Sequence, residues 1–123
     1  MHHRSLYARF HKQHHEWKQT RPVSSEYFSV VEEILTGVIP TMAGPLLLGS
    51  RLKFVTLVAW IAFRVCESSD AHMGYDLPLI LSPFKLGRPS NRHFLHHSVN
   101  TGNYGAFFTV WDRLCGTEIK DRK

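Results

Sequence analysis

The chain has 123 residues, and its 43% hydrophobic and 20% charged residues indicate a folded protein and exclude a disordered one. This length suffices for one domain of modest size and is too short for two ordinary ones. The net charge is +5, with five of the basic residues within 1–22 and seven within 85–123. Cationic ends around an apolar centre favour a membrane-seated protein with both ends on the cytosolic side. Nucleic acid is not expected as a partner, because no binding motif accompanies the basic residues.

Two cysteines, Cys66 and Cys115, lie far apart and form no C-x-x-C pattern. Two lone thiols indicate a reducing compartment and not a disulfide framework. The opening residues, MHHRS, are followed by no apolar stretch, so no cleavable signal peptide is expected.

The first predicted element is a helix over residues 3–19, which contain no Gly or Pro. Three histidines, at positions i, i+3 and i+4, project from one face of such a helix: His11, His14 and His15. A polar break follows over 20–27, where Ser24 or Ser25 is expected to cap the next helix.

Two apolar segments come next, 34–49 and 51–67, and the first is interrupted by two glycines and two prolines before its final Gly49. A clean membrane-spanning helix needs about 20 apolar residues, and neither segment reaches that length comfortably. Two interpretations stay open at this point. The segments form either a bent hairpin that enters the bilayer or the buried core of a small soluble helical bundle.

A second histidine pattern lies towards the end of the chain. Residues 67–91 contain three prolines and two glycines and are predicted to be a loop-rich connection. RHFLHH, at 92–97, repeats the H-x-x-H-H spacing, and a short helix is expected there. The histidines of this second face are His93, His96 and His97.

Two such histidine faces point to metal, because imidazole is the commonest protein metal ligand and binds in its neutral form. The faces supply six nitrogens, His72 lies between them in sequence, and His2 and His3 precede the first. Six to eight imidazoles exceed one tetrahedral zinc site, so two metal ions are expected. Donor type does not select the metal, since imidazole suits Fe, Cu, Ni and Zn. A single H-x-x-H-H face is as readily a solvated helix surface; the duplication carries the prediction.

Carboxylates are available to orient these imidazoles. Asp70, Asp76 and Asp112 are candidates to accept imidazole N–H groups, and each is an equal candidate to cap a helix or turn.

Three stretches of this sequence resemble the sterol desaturase/fatty acid hydroxylase superfamily, in particular the C4-methylsterol oxidases and fatty-acid-hydroxylase-domain proteins. They are HHRSLYARFHKQHHEW, ESSDAHMGYDLP and HFLHHSVNTGNYGAFFTVWDRLCGT, which together cover most of the chain. The order of the two H-x-x-H-H boxes, the HMGYDLP stretch and NYG followed by WDRLCGT is more specific than any one of them.

The resemblance implies an all-α, membrane-associated histidine-box oxygenase domain over residues 1–123, with an apolar hairpin between two ligand-bearing helical faces. Its expected cofactors are two non-heme iron ions, with O2 as co-substrate. The implied activity is insertion of oxygen into a C–H bond of a sterol or fatty acyl lipid. The expected location is the endoplasmic reticulum membrane, with the ligand face towards the cytosol. Electrons are expected from an NAD(P)H-dependent reductase chain such as one using cytochrome b5.

The resemblance also implies the ligand set. The two H-x-x-H-H boxes match the family's second and third boxes, His72 matches the histidine of H-x-GYD-x-P, and His2 matches the last histidine of an opening H-x-x-x-H box. The metal ligands expected on this basis are His2, His11, His14, His15, His72, His93, His96 and His97.

The chain departs from the family at its start. The first histidine of the opening box would lie three residues before Met1, and the membrane helices that precede it in longer relatives are not expected here. The chain is therefore interpreted as the C-terminal catalytic part of such an enzyme. Two alternatives stay open: a truncated non-catalytic paralogue, and a small histidine-rich zinc protein.

Overall fold

The computed structural model describes residues 1–75 and 89–119, and no strand occurs in these ranges. The predicted all-α class is therefore confirmed for the described part. The α-helices are α1 (Arg4–Leu6), α2 (Val30–Glu32), α3 (Ile39–Leu48), α4 (Phe54–Ala71), α5 (Pro89–Val99) and α6 (Val110–Cys115). Two π-helices (Tyr7–His11, Glu33–Val38) and three 3-10 helices (His14–Glu16, Pro22–Glu26, Gly49–Arg51) complete the set.

The amino-terminal helix is shorter and less regular than predicted. It begins at Arg4 and continues as the π-helix Tyr7–His11, and a separate 3-10 turn, His14–Glu16, carries the last two histidines of the first box. Helical structure therefore ends at Glu16 and not at residue 19. Single π turns often occur at functional sites, and this one ends on a histidine of the first box.

The hairpin's first arm is one continuous helix, Val30–Arg51, built from α2, a π turn, α3 and a final 3-10 turn. Ser29 caps it by accepting a hydrogen bond from the Glu32 N–H, so the predicted caps Ser24 and Ser25 are wrong. Ser24 instead accepts from the backbone N–H of Arg21 within the preceding 3-10 turn.

The prolines do not interrupt this arm, in contrast to the prediction. Pro40 follows closely on the π turn Glu33–Val38 inside the continuous helix, and the helix continues past Pro45 to Leu48. With 22 residues, Val30–Arg51 is long and apolar enough to cross a membrane, and only 6% of its most apolar window is buried.

The hairpin's second arm is α4, which returns alongside the first after the turn at Gly49–Arg51. The Trp60 indole N–H donates a hydrogen bond to the Thr41 carbonyl and joins the two arms. α4 extends to Ala71 and α5 begins at Pro89, so both ends of the predicted 67–91 connection are helical, whereas 72–75 form a turn. The remaining part of that prediction, 76–88, lies outside the described residues.

Apolar side chains near the hairpin turn are exposed: Leu47 is 89% and Phe54 80% accessible. Among the described residues, the buried hydrophobic class holds only Ala71, whereas seven of the buried residues are histidines. The hairpin is therefore not the core of a soluble bundle in this chain. The buried interior is polar, and it lies at the end of the molecule away from the turn.

The carboxyl-terminal segment folds back on α5 through two buried polar side chains. The Asp112 carboxylate accepts hydrogen bonds from the backbone N–H groups of Tyr104 and Gly105 and from the Thr117 hydroxyl. The Asn103 side chain accepts from the Ile119 N–H and donates to the Arg92 carbonyl. These bonds fix residues 102–105 against the second histidine box, and they explain structurally why NYG and WDRLCGT occur together.

Candidate metal centre

The structure brings all eight predicted histidines together at the polar end, in two groups of four. We call these cluster 1 and cluster 2, and together the histidine cage. Cluster 1 contains His2, His11, His15 and His96. Cluster 2 contains His14, His72, His93 and His97. Within each cluster the candidate donor nitrogens lie within 4.8 Å of one another. His3, by contrast, is exposed and accepts a hydrogen bond from the Ser5 N–H.

Each H-x-x-H-H box divides its histidines between the clusters in the same way. The pair four residues apart stays together: His11 and His15 in cluster 1, His93 and His97 in cluster 2. The histidine at i+3 joins the opposite cluster. Residues i and i+4 are close neighbours along a helix, whereas i+3 lies on the other side of i, so one box reaches two adjacent positions. The duplicated spacing thus supplies three imidazoles to each position, and His2 and His72 each add a fourth.

The nitrogens that converge inside each cluster are Nε2 atoms. In cluster 1 the Nε2 of His11 lies 2.8 Å from that of His2 and 3.0 Å from that of His15. In cluster 2 the corresponding distances are 3.2 Å for His14 to His72 and 3.0 Å for His72 to His93. Donors at about 2.1 Å from one ion lie on the order of 3 Å from one another, so this spacing fits a metal site.

The outward nitrogens fix the tautomer of cage histidines. Peptide carbonyl oxygens only accept hydrogen bonds, so each Nδ1 that contacts one must carry the proton. This holds for His14 with the Tyr27 oxygen at 3.2 Å, His72 with the Ser68 oxygen at 2.8 Å and His96 with the Gly102 oxygen at 2.6 Å. The His11 Nδ1 contacts the Glu32 carboxylate at 2.5 Å.

Burial keeps these imidazoles neutral. It lowers the pKa of His72 to about 4 and that of His2 to about 3, and it lowers the pKa of His14 and His96 as well. In cluster 2, His14 and His72 are therefore both neutral with the proton on Nδ1. Their Nε2 lone pairs then face each other at 3.2 Å with no proton between them. That arrangement is unfavourable alone and favourable around a cation, so the donor set fits a metal ion.

Glu32 is a candidate site residue that the histidine spacing does not indicate. Its side chain is buried and accepts from His11, while its backbone N–H is capped by Ser29. The pattern SVVE has the form S-x-x-E, which marks a helix start. That signal was available in the sequence, but it gives no indication that the glutamate side chain turns to a histidine 21 residues earlier.

The three candidate aspartates do not share one role. Asp112 holds the carboxyl-terminal turn through backbone and hydroxyl donors, so of its two predicted roles the turn role is observed. Asp70 is buried at the end of α4. Asp76 lies outside the described residues.

A cavity of about 830 Å³ opens from the cage into the hairpin. Six cage histidines line one end, and the sides are formed by apolar residues of both arms, among them Val38, Met42, Ile61 and Val65. Phe107 and Tyr104 contribute from the carboxyl-terminal segment. Small-ligand sites are typically about 300–1,000 Å³, so the cavity has room for a molecule of lipid size beside the cage.

Comparison with known proteins agrees with this geometry. A sequence model described as Fatty acid hydroxylase matches residues 1–117. The chain belongs to the fatty acid hydroxylase family. The resemblance drawn from the histidine boxes is thereby confirmed.

Individual relatives bear names consistent with lipid oxidation. Methylsterol monooxygenase 1 of Danio rerio is 36% identical over 126 residues, and that of Rattus norvegicus is 35% identical over 123 residues. Fatty acid hydroxylase domain-containing protein 2 of Homo sapiens is 33% identical over 118 residues. The alignments cover 100%, 98% and 96% of this chain and 42%, 40% and 32% of the respective relatives. The chain thus spans less than half the length of these proteins. No solved structure matches it.

Proposed function

We propose that this chain is the catalytic part of a membrane-bound, non-heme di-iron lipid hydroxylase. In this proposal clusters 1 and 2 each hold one iron ion through their four histidines. The substrate is a sterol, oxidised at a C4-methyl group, or a fatty acyl lipid. The names of the relatives favour the sterol.

The observation that carries the proposal is the junction of cage and cavity. Six cage histidines lie at the end of an apolar cavity of about 830 Å³, so a hydrophobic molecule in the cavity reaches the metal positions directly. A structural zinc site is closed by its four protein ligands and needs no such cavity. The exposed apolar hairpin, which forms the sides of the cavity, also favours a substrate that is dissolved in a bilayer.

The protein's own contribution is to position the metal ligands and the lipid, and to shield the cage from water. Hydrogen bonds to Tyr27, Ser68 and Gly102 carbonyls hold the Nε2 lone pairs inward, which prepares the ligands before an ion arrives. The apolar sides, with Val38 and Met42 on one arm, orient a lipid chain or ring and exclude water from the cage.

When bound, the two irons would supply the redox chemistry, namely activation of O2 and insertion of one oxygen atom into a C–H bond. The balance is R–H + O2 + NAD(P)H + H⁺ giving R–OH + NAD(P)⁺ + H2O, so two electrons come from a reductase. We propose that they arrive through an NAD(P)H-dependent chain such as one using cytochrome b5. The endoplasmic reticulum membrane, with the cage on the cytosolic side, is the proposed location, since the basic ends fit that orientation.

The test combines metal content with lipid oxidation. The chain is purified in detergent, loaded with ferrous iron and assayed with a 4-methylsterol, O2 and a reductase system. We expect two irons per chain and formation of the hydroxylated sterol. Replacing Met42, which lines the cavity, by Trp should lower oxidation at least about tenfold and leave the iron content unchanged, because the bulky ring fills the substrate space.

Leu47→Trp is the matched control, since Leu47 is 89% exposed on the same helix and does not line the cavity. It should leave both iron content and oxidation unchanged. A chain that binds two zinc ions and no iron would overturn the proposal in favour of a zinc protein. Iron binding without oxidation of sterol or acyl lipid would instead identify a non-catalytic member of the family.

A further inference from the structure

The two clusters differ in the groups that accept hydrogen bonds from the outward Nδ1 atoms of their histidines. In cluster 2 the outward nitrogens of His14 and His72 donate to peptide carbonyls. In cluster 1 His96 does the same, but His11 donates to the Glu32 carboxylate at 2.5 Å. Among hydrogen bonds between described residues, this is the one that joins a carboxylate to a cage imidazole.

A carboxylate acts more strongly on the ligand than a carbonyl does. Hydrogen bonds to an ionised acceptor are shorter and about twice as strong as those between neutral groups. A carboxylate behind a metal-binding imidazole also makes the ligand nitrogen more basic and brings negative charge close to the ion. Cluster 1 has this support at His11, whereas in cluster 2 the hydrogen bonds at His14 and His72 go to neutral carbonyls.

Several contacts direct the Glu32 side chain to His11. The Ser29 hydroxyl donates to the Phe10 carbonyl at 2.8 Å and accepts from the Glu32 N–H, which joins the start of the hairpin to the turn that carries His11. The Thr36 hydroxyl donates to the Glu32 carbonyl. The Glu32 side chain is only 5% exposed, and its second oxygen, Oε2, is buried and has no hydrogen-bond partner in the described part of the chain.

A buried carboxylate with so few partners is unfavourable unless a positive charge lies nearby. A divalent ion held by cluster 1, on the far side of the His11 ring, would supply that charge. A metal ion in cluster 1 would therefore explain why a carboxylate oxygen, Glu32 Oε2, is buried without a hydrogen-bond partner.

Resting on the proposed metal centre, we infer that the two metal positions are chemically unequal and that Glu32 is the positioning residue for cluster 1 alone. It holds the His11 ring with its Nε2 atom inward and strengthens that ligand, whereas among the described residues it hydrogen-bonds to no histidine of cluster 2.

Single-cluster variants isolate the effect. His93→Ala disrupts cluster 2 and leaves cluster 1; His15→Ala does the reverse. Glu32→Gln is introduced on each background, and Co²⁺ affinity is measured by the visible absorption of the bound ion in competition with a chelator. We expect Glu32→Gln to weaken Co²⁺ binding about 10- to 100-fold when only cluster 1 remains. When only cluster 2 remains, the loss of affinity should be much smaller, because Glu32 hydrogen-bonds to no cluster 2 histidine and acts on His14 only through space.

Glu33→Gln is the matched control, because Glu33 is the adjacent carboxylate and its side chain lies over Gly37 instead of bonding to a histidine. It should leave Co²⁺ binding unchanged on both backgrounds, and Glu32→Asp should restore part of the lost affinity.

Equal weakening of both clusters by Glu32→Gln, together with a lower melting temperature of the metal-free chain, would show a general structural role and overturn the inference. Two equivalent ions with unchanged affinity would also overturn it but leave the proposed function standing. If the unmutated chain bound no Co²⁺ and no iron, the metal centre itself would be refuted.

Discussion

The cage end of this chain buries polar side chains, whereas the hairpin end exposes apolar ones. At the cage end, histidines and other polar side chains are almost fully inaccessible; His97 and Asp112 are each only 1% exposed. At the hairpin end, leucine, valine and phenylalanine side chains are mostly accessible, as at Leu47 and Phe54. A soluble domain of this size normally has the reverse arrangement, with apolar residues inside and charged residues outside.

The difference shows where stability comes from in each region. A polar interior contributes little by the hydrophobic effect, so the cage end depends on its hydrogen bonds and on ions that its lone pairs can bind. The hairpin has few internal partners for its apolar surface, so it depends on what surrounds it, which in our proposal is lipid. The two regions should therefore respond to different treatments, metal removal in one case and polar substitution in the other.

Metal removal should have the largest effect on the cage. An ion that binds only the folded chain stabilises it by about 4 kcal/mol when its free concentration is roughly 1,000 times its Kd. Adding chelator to the iron-loaded chain in detergent should lower the melting temperature accordingly. His97→Ala should remove part of the chelator-sensitive stability, whereas His3→Ala should not, since His3 is exposed and outside the cage. Identical melting with and without chelator would contradict a metal-dependent cage.

A charge placed on the hairpin should have the next largest effect. This effect should be on membrane insertion of the hairpin and not on the cage. Leu47→Asp places a carboxylate on the proposed lipid-facing surface, at a cost of up to about 3 kcal/mol for a group deep in the bilayer. We expect the variant to be extracted from membranes by alkaline carbonate more readily than the unmutated chain. Val23→Asp is the matched control, because Val23 is 67% exposed but lies in the 3-10 turn outside the hairpin. Equal extraction of both variants would argue against insertion of the hairpin.

The sequence predicted the cage better than the hairpin for a physical reason. A spacing of three and four residues between histidines strongly favours metal binding when it occurs twice, and the eight residues chosen from pattern and resemblance are the eight that the structure brings together. The pattern does not show how they divide, because that depends on the angle between two boxes that are distant in sequence. Glu32 was missed for the same reason: its partner His11 is distant in sequence, and one glutamate among several carries no distinguishing signal.

The hairpin prediction failed locally where tertiary context overrode residue preference. Proline and glycine usually end helices, which led to the expectation of a broken segment at Pro40 and Pro45. The helix nevertheless runs from Val30 to Arg51, with a π turn just before Pro40. The helix also begins before the apolar segment 34–49, because its cap, Ser29, precedes Glu32 and Glu33, so a count of apolar residues alone underestimates its length.

Two glycine substitutions compare the regions through smaller effects. We expect Gly102→Ala to lower the free energy of unfolding and Gly44→Ala to raise it. Gly102 has φ of +72°, and a Cβ there would lie 2.6 Å from the Thr117 carbonyl oxygen. Gly102→Ala should therefore destabilise the chain by about 1–3 kcal/mol and displace the carbonyl that orients His96. Gly44 lies inside α3, and apart from its chain neighbours and the helix backbone nothing lies within 4 Å of an added Cβ, so Gly44→Ala should stabilise the helix by up to about 1 kcal/mol. Thermal unfolding of both variants in detergent measures the difference. Destabilisation by Gly44→Ala would mean that this face of α3 is packed against another element, and the exposed hairpin surface would then be an interface and not a lipid contact.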